Sequence, residues 1–265
     1  MGDDPFATHL LTVLSATFPA GEQVFIDAVR SFRDQVRDPR LLQQMRAFIS
    51  QEGQHRHRHE TLNRHPERFG LPGSELEQRA GAITREMAKR RTPLENLAMT
   101  AALEHFTAVL CEAFLTQDEL RESVAEPFRS LWTWHCVEEL DHKAVAFDVY
   151  QEVSGDYATR VRWMLHATLT FVLGSGLMHL EALHADGQLR RPRYLLRRFW
   201  KYWRPRTGHF ARLLPLYLAY YRRDFHPFER DHAALIRRFD GTWDTNAREE
   251  IGEGSQATGC GWGHL

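Results

Sequence analysis

The chain has 265 residues and is 43% hydrophobic, which is enough to bury one full-sized core, alone or with embellishments. Its formal net charge of −1 excludes the strongly basic balance typical of nucleic-acid-binding domains. Cys111, Cys136 and Cys260 form no CxxC pair, so free thiols in a reducing cytoplasm are favoured over a disulfide scaffold. The acidic N-terminus "MGDDPFATHL" has no basic region followed by an apolar core, so we expect a cytoplasmic protein.

Four long helices are predicted from the spacing of apolar residues, and almost nothing is typical of strands. Two helix starts are marked by Asp38-Pro39 and by the "TPLE" capping box at 92–95. The predicted helices are "GEQVFIDAVRSFRDQV" at 21–36, a run from 39 to a break at Pro66, a run from 92 to 115, and a run from 128 to near Gly155. Their lengths and connections predict an all-α, ferritin-like four-helix bundle with additional C-terminal helices.

The predicted domain organisation is a single helical domain over residues 1–265. Residues 1–155 form the four-helix core, residues 156–240 add helices that pack on it, and residues 241–265 form an irregular tail. The stretch 163–180 carries no charge and reaches the length of a membrane span. It also contains His166, His179 and two glycines, so a helix buried against the bundle is favoured over a transmembrane one.

Residues 190–223 form a basic, aromatic stretch. They include eleven lysines and arginines, no acidic residue, and interleaved tyrosines and tryptophans. A surface of this composition is typical of contact with an anionic membrane, here the inner face of the cell membrane, or with an acidic partner. The alternative is a solvated face that is balanced by acidic residues in the first half of the chain.

The most informative motif is "WHCVEELDH", which places His135, Glu139 and His142 on one face of a helix. The second predicted helix carries "QEGQHRHRH", in which Glu52, His55 and His59 fall within an arc of roughly 60°. Glu-x-x-His therefore occurs on both the second and the fourth helix.

Two further glutamates complete the pattern. Glu104 lies on the third helix in the apolar context "AALEHFTAVL", and Glu22 lies at the start of the first predicted helix. One Glu from each of two helices, with Glu-x-x-His from the other two, is the ligand set of a dimetal carboxylate bundle. Oxygen-rich ligation with imidazoles and no thiolate suits two iron ions, with manganese or a mixed Mn/Fe pair as alternatives.

Each residue has a second interpretation. Glu22 could be a first-turn glutamate that the helix dipole favours, and Glu104 could be half-exposed. His59 is placed in the second shell, facing substrate, or in solvent, and Glu138 competes with Glu139 as the ligand. Cys111, seven residues after Glu104, is expected to line the cavity at the metals.

The chain also resembles a known family. The segments "LSATFPAGEQVF", "FISQEGQHRHRHETLN", "LEHFTAVL", "WHCVEELDHKAVAFDVYQEV" and "DFHPF" resemble the bacterial predicted metal-dependent hydrolases over roughly residues 10–235. The ligand order is also similar to that of ferritin-like di-iron N-oxygenases such as p-aminobenzoate N-oxygenase. The resemblance implies a di-iron centre bound by the following residues: Glu22, Glu52, His55, Glu104, His135, Glu139 and His142.

The first functional expectation is a di-iron oxidase or oxygenase that uses dioxygen on a small, hydrophobic organic substrate. The alternative is a dimetal-dependent hydrolase of an ester or phosphoryl compound. A third class is a non-catalytic iron-binding or membrane-associated protein. No nucleic-acid partner is expected, and a homodimer is compatible with the sequence.

Overall fold

The computed structural model describes residues 4–64, 73–124, 126, 128–205 and 208–239. All regular structure in these residues is helical and none is strand, which confirms the all-α prediction. The helices are α1 (Pro5–Arg30), α2 (Pro39–Arg64), α3 (Gly73–Lys89), α4 (Pro93–Thr116), α5 (Asp118–Glu122), α6 (Phe128–His142), α7 (Val145–Val153), α8 (Tyr157–Ala185), α9 (Pro192–Trp203), α10 (Leu214–Ala219) and α11 (Ala233–Phe239).

Helix α1 begins sixteen residues before the predicted start at Gly21. Asp4 caps it by accepting a hydrogen bond from the Ala7 amide, and Pro5 occupies the first turn. The helix continues through Pro19, which has no N–H to donate to the Ser15 carbonyl. The Asn63 side chain of α2 donates to that carbonyl at 3.1 Å instead, so the missing helical bond is replaced.

The predicted starts of α2 and α4 are confirmed. Helix α2 begins at Pro39. Helix α4 has the complete capping box, in which the Thr92 hydroxyl accepts from the Glu95 amide and the Glu95 carboxylate accepts from the Thr92 amide. The predicted break at Pro66 lies outside the described residues. Helix α3 was not predicted, because its mostly polar sequence buries little more than Leu76 and Ala80.

The predicted fourth helix is wrong in one respect, because a turn at Lys143 and Ala144 divides it into α6 and α7. Lys143 is buried in that turn, where its Nζ lies 2.7 Å from both the Arg230 carbonyl oxygen and His232 Nδ1. The turn therefore lets a lysine inside the molecule find polar partners on the C-terminal segment.

Two apolar layers enclose the middle of the bundle. One contains Phe25, Met45, Phe48, Leu97 and Tyr150, among others. The other includes Leu62, Phe114, Leu131, Trp132 and Leu140. On α2 and α4 the candidate ligands lie between the residues that belong to the two layers, so both layers exclude water from the site.

The prediction that residues 163–180 form a helix buried against the bundle is correct for one face of α8 only. Met164, Ala167, Ser175 and His179 are buried against the molecule. The other face exposes a stripe of apolar side chains at 46–67% of their area: Leu165, Leu169, Val172, Leu173, Leu177 and Leu180. Among the described residues, α4 is the helix that is long and apolar enough to cross a membrane. However, 72% of its most apolar 18-residue stretch is buried inside the protein, as in a core helix.

Helices α9 to α11 follow α8, in the part of the chain predicted to add helices to the core. Tyr202 of α9 stacks on Phe6 of α1, with ring centroids 5.3 Å apart. The predicted tail 241–265, which includes Cys260, lies outside the described residues. The division of the domain at residue 155 stays a prediction.

Candidate metal centre

The predicted ligands converge in the middle of the molecule from α1, α2, α4 and α6. All seven are at most 4% exposed: Glu22, Glu52, His55, Glu104, His135, Glu139 and His142. Because α1 begins at Pro5, Glu22 lies deep in its helix and the first-turn interpretation is wrong. Glu104 is 1% exposed, so the half-exposed interpretation is wrong as well.

The two Glu-x-x-His motifs form the first group. Glu52, His55, Glu139 and His142 each offer a ligand atom, and these atoms lie within 4.8 Å of one another. His142 Nε2 is 3.1 Å from Glu52 Oε1, and His55 Nδ1 is 3.3 Å from Glu139 Oε1. The histidine of each Glu-x-x-His motif therefore lies beside the glutamate of the other motif.

A second group lies beside the first and contains Glu22, His59 and His135, whose ligand atoms are also within 4.8 Å of one another. His59 is fully buried, so the solvent-facing interpretation is wrong. Its two ring nitrogens lie within hydrogen-bond distance of Ser15 and His135, in agreement with the predicted position behind a ligand, and its place in this group makes it a further candidate ligand. The signal was its position one helical turn after His55 within the same arc.

Glu139 lies between the two groups. Its Oε1 is 3.5 Å from His135 Nε2, 3.3 Å from His55 Nδ1 and 3.7 Å from His142 Nε2. Glu104 adjoins the first group, with its Oε2 3.6 Å from His142 Nε2. A carboxylate at this central position is suited to bridge two cations.

The unsatisfied polar atoms test whether this set fits metal ions. Both carboxylate oxygens of Glu22, Glu52 and Glu104 are buried without a hydrogen-bond partner, as are the following atoms: Glu139 Oε2, His55 Nδ1, His135 Nε2 and His142 Nε2. Buried polar atoms are almost always paired, and unpaired carboxylates cost several kcal/mol each. Two divalent cations would balance the four carboxylates, so the residues fit a two-metal centre.

The electrostatics of the protein without metals agree. Burial, together with the neighbouring carboxylates Glu52, Glu139 and Glu104, raises the pKa of Glu22 far above its ordinary value. Burial likewise raises the pKa of Glu104 far above its ordinary value, and it also raises the pKa of Glu52. Burial also acts to raise the pKa of Glu139, but the neighbouring imidazoles of His142, His55 and His135 hold it well below the ordinary value. Protons therefore occupy much of the site when cations do not.

Outer hydrogen bonds fix the orientation of the imidazoles. His55 Nε2 lies 3.0 Å from Glu138 Oε2, and Glu138 Oε1 accepts a bond from the Trp134 indole. Glu138 thus points to the back of His55 and leaves His55 Nδ1 facing the centre, while Glu139 faces the centre directly. His142 Nδ1 lies 3.2 Å from Gln51 Oε1, which leaves its Nε2 inward in the same way. This arrangement is typical of histidines that bind metals.

Cys111 does not line the cavity, contrary to the prediction. Its thiol is buried in the second apolar layer and contacts Cys136, and burial raises its pKa far above the ordinary value. The seven-residue spacing does bring Cys111 within about 20° of Glu104 on α4. The cavity wall, however, is formed by a neighbouring side of that helix, with Leu103, Phe106 and Thr107, and does not include Glu104 itself. Cys111 consequently packs against α6 below the site.

A cavity of about 350 Å³ connects the centre with the surface. Glu22, His135 and Glu139 form its inner end. Its walls are mostly apolar and include Phe18, Phe25, Met99, Leu103, Phe106, Phe171 and Met178. Ile83 and Leu177 also line it and are 59% and 67% exposed, so the mouth opens between α3 and α8.

Comparison with known proteins adds one finding. A sequence profile of the family described as predicted metal-dependent hydrolase matches residues 1–231. The chain belongs to this family. No curated protein and no solved structure matches the chain. The similarity of this predicted metal-dependent hydrolase to the di-iron N-oxygenases, and to the ferritin-like fold in particular, therefore stays a prediction.

Proposed function

We propose that the protein is a dimetal-dependent hydrolase that cleaves an ester or phosphoryl bond of a predominantly apolar substrate. The family description supports hydrolysis. The donor set, four carboxylates with inward-facing imidazoles, supports two divalent cations such as iron or manganese.

The cavity is the observation that carries the proposal. A centre that four helices enclose would be a poor hydrolase if water and substrate could not reach it. Here the cavity leads from the surface to Glu22, His135 and Glu139. It thus supplies the access that hydrolysis needs.

Bound metals would supply Lewis acidity and activation of water at neutral pH. The chain itself would contribute the remaining parts of the reaction. Phe18, Met99 and Leu103 would hold the apolar part of the substrate and exclude bulk water. Glu22 and His135 would adjoin the scissile bond, since both line the inner end of the cavity. Glu138 and Gln51 would keep the ligand imidazoles aligned.

Dioxygen activation by two iron ions is the second candidate. It is favoured by a site rich in carboxylates and by the apolar walls, which suit oxidation or oxygenation of a hydrophobic compound. The same seven residues would hold the iron ions, with His59 as an eighth candidate.

One experiment separates the two reactions and the non-catalytic alternative. Protein loaded with zinc or manganese is given p-nitrophenyl dodecanoate, and reduced iron-loaded protein is given oxygen in an anaerobic cuvette. Ester turnover by the zinc-loaded protein, abolished by Glu139→Gln, supports hydrolysis, because zinc is redox-inactive. Stoichiometric oxygen uptake with transient visible absorption, without ester turnover, supports oxygen activation. A protein that binds metal and does neither is non-catalytic towards these substrates.

A further inference from the structure

The wall of the long apolar cavity has cationic groups that the proposed chemistry does not use. Two arginines line it, Arg79 and Arg91. Arg79 forms an ion pair with Glu181 across the mouth. Arg91 forms no ion pair with any carboxylate in the part of the chain that the structure describes. Its guanidinium instead lies 3.4 Å from His166 Nε2 and 5.2 Å from the centroid of the Trp163 ring.

Arg91 is half-buried, and this position is costly for a cation that forms no direct ion pair; the charge of Glu95 offsets only part of the cost. Desolvation by the surrounding protein lowers its pKa. The flat guanidinium, held by an imidazole and an indole, presents N–H donors suited to a carboxylate or phosphate. The cavity therefore has an anion-binding group at one part of an otherwise apolar wall.

Arg91 and the metal centre occupy different ends of the cavity. Arg91 precedes α4, and Glu104 lies on that helix eleven residues beyond Pro93. At 1.5 Å per residue this separates Pro93, two residues after Arg91, from Glu104 by roughly 16 Å along the helix. Met99 and Leu103, on the intervening turns, line the wall between them.

We propose that the cavity binds a single-chain amphiphile, with its anionic head at Arg91 and an apolar chain extended along Met99 and Leu103, so that an ester bond at the far end of this chain would reach the metal centre. This assignment deepens the proposed function, because it names the class of molecule that the centre would act on. It predicts that the affinity depends on the negative head of the ligand as well as on its hydrocarbon chain.

The test measures binding without turnover, on protein as purified with its metals. N-phenyl-1-naphthylamine, a neutral apolar fluorophore, is displaced by dodecanoate, dodecyl phosphate or dodecan-1-ol below their aggregation concentrations. We expect at least one anion to bind at least about tenfold tighter than the alcohol, as for one charge-assisted contact. A preference for dodecanoate indicates a carboxylate head, and one for dodecyl phosphate indicates a phosphate head.

Matched variants assign the contacts. Arg91→Gln should abolish the preference for the anion, whereas Arg90→Gln should keep it, since Arg90 is exposed and paired with Glu86. Gly174 lines the cavity and Gly176 does not, and a Cβ at either position would meet no atom within 4 Å. Gly174→Leu should therefore weaken all three ligands, while Gly176→Leu should not.

Three results would overturn the inference: equal affinity for anions and alcohol in the parent protein, an unchanged preference in Arg91→Gln, or unchanged binding in Gly174→Leu. Because no reaction is monitored, a failure of the hydrolase proposal alone would leave these affinities as predicted.

A separate observation concerns α9, which exposes a continuous apolar stripe. Leu196, Phe199, Trp200 and Trp203, spaced as neighbours on one helical face, are 46–63% exposed. The opposite side packs on the protein through Tyr202, which is 2% exposed. There Arg198 pairs with Asp4 and Lys201 with Glu119, so these two cations are already balanced.

Other arginines flank the stripe without acidic neighbours on the helix. Arg193, Arg197 and Arg204 are exposed, and helical geometry places them on one side, roughly 60–100° from Leu196. Tryptophans beside arginines are typical of helices that lie in the interface of an anionic membrane. We infer that α9 docks the protein on an anionic lipid surface, with the four apolar side chains inserted among the headgroups.

Vesicle sedimentation tests this second inference. Phosphatidylglycerol–phosphatidylcholine vesicles should bind the protein at low salt and release it at high salt, and pure phosphatidylcholine should bind it weakly. Charge reversal of Arg193, Arg197 and Arg204 should weaken binding at least about tenfold. Charge reversal of the exposed Arg33, Arg37 and Arg40 changes the net charge of the protein by the same amount and should weaken binding less. Absence of binding to anionic vesicles, or equal effects of the two triple variants, would overturn the inference.

Discussion

His59 Nε2 lies 3.2 Å from His135 Nδ1, so one buried imidazole sets the orientation of the other. His59 is itself held by Ser15, whose hydroxyl lies 2.9 Å from His59 Nδ1. In this arrangement His135 Nε2 faces Glu139 and has no hydrogen-bond partner. The hydrogen-bonded chain of side chains Ser15–His59–His135 thus connects the second ligand group with Ser15 of α1.

The first prediction follows from that chain. His135→Ala should retain most of the metal, because four carboxylates and two imidazoles remain, but should depress turnover and alter the oxygen-reaction spectrum. Ser15→Ala leaves every candidate ligand in place and should have a smaller effect in the same direction. Metal analysis and turnover of both variants check this. Complete loss of metal in His135→Ala, or unaltered turnover, would contradict it.

The second prediction concerns the carboxylates. Glu52→Gln and Glu139→Gln should each remove one or both metals, since both residues belong to the first group. With chelator present, Glu52→Gln should be as stable as the parent protein or more stable, because burial raises the pKa of Glu52 and an amide has no charge to bury. Glu139→Gln should be less stable, because it removes the carboxylate that His142 and His55 hold ionised. Thermal unfolding with and without chelator measures both effects. Two tightly bound metals in both variants would refute the site assignment.

Metal binding should release protons, and this is the third prediction. Without metals, burial raises the pKa of Glu22 and Glu104, so these carboxyls hold protons that a cation must displace. Apparent affinity should therefore increase with pH. Titration in a weakly buffered solution with a pH indicator measures the release. Binding without proton release and with the same affinity at pH 6 and pH 8 would be inconsistent with this electrostatic account.

The fourth prediction uses a histidine far from the ligands. Burial in the α1–α8 contact lowers the pKa of His179 from 6.5 to about 4, while its Nε2 donates to the Phe6 carbonyl at 2.9 Å. As the pH decreases, the His179 imidazole is protonated in the unfolded chain before it is protonated in the folded protein. His179 therefore destabilises the fold as the pH decreases from 6.5 towards 4. Between pH 6.5 and about 5 the effect is at most about 2 kcal/mol.

His179→Gln should keep a donor to Phe6 and lose that part of the pH dependence. His184→Gln, on the exposed side of the same helix, is the control and should follow the parent protein. Urea unfolding across this pH range makes the comparison. Identical pH profiles for the parent protein and His179→Gln would show that the histidine does not titrate as described.

The sequence predicted what depends on local helical geometry. Glu52, His55, Glu139 and His142 could be identified because a three-residue spacing brings two side chains to one helical face wherever the helix lies. The same rule placed His59 on that face, but contacts from α1 and α6 bring it into the second group. Such contacts between helices are not encoded in spacing.

The remaining differences have physical causes of the same kind. A proline inside α1 is tolerated only because Asn63 replaces the lost bond. The turn at Lys143 depends on acceptors almost ninety residues later. Cys111 shares the helical face of Glu104, but the cavity lies against a neighbouring side of α4, which sequence spacing alone does not reveal. The function of Arg91 could not be inferred from sequence either, because nothing there indicates that a cavity surrounds it.

Anomalous diffraction from metal-loaded crystals tests the central claim, a two-metal centre held by α1, α2, α4 and α6, most directly. We predict two peaks per chain roughly 3.5–4 Å apart, one among Glu52, His55, Glu139 and His142, and the other beside Glu22 and His135. A single peak, peaks outside this cluster, or no peak at all in metal-saturated crystals would contradict it.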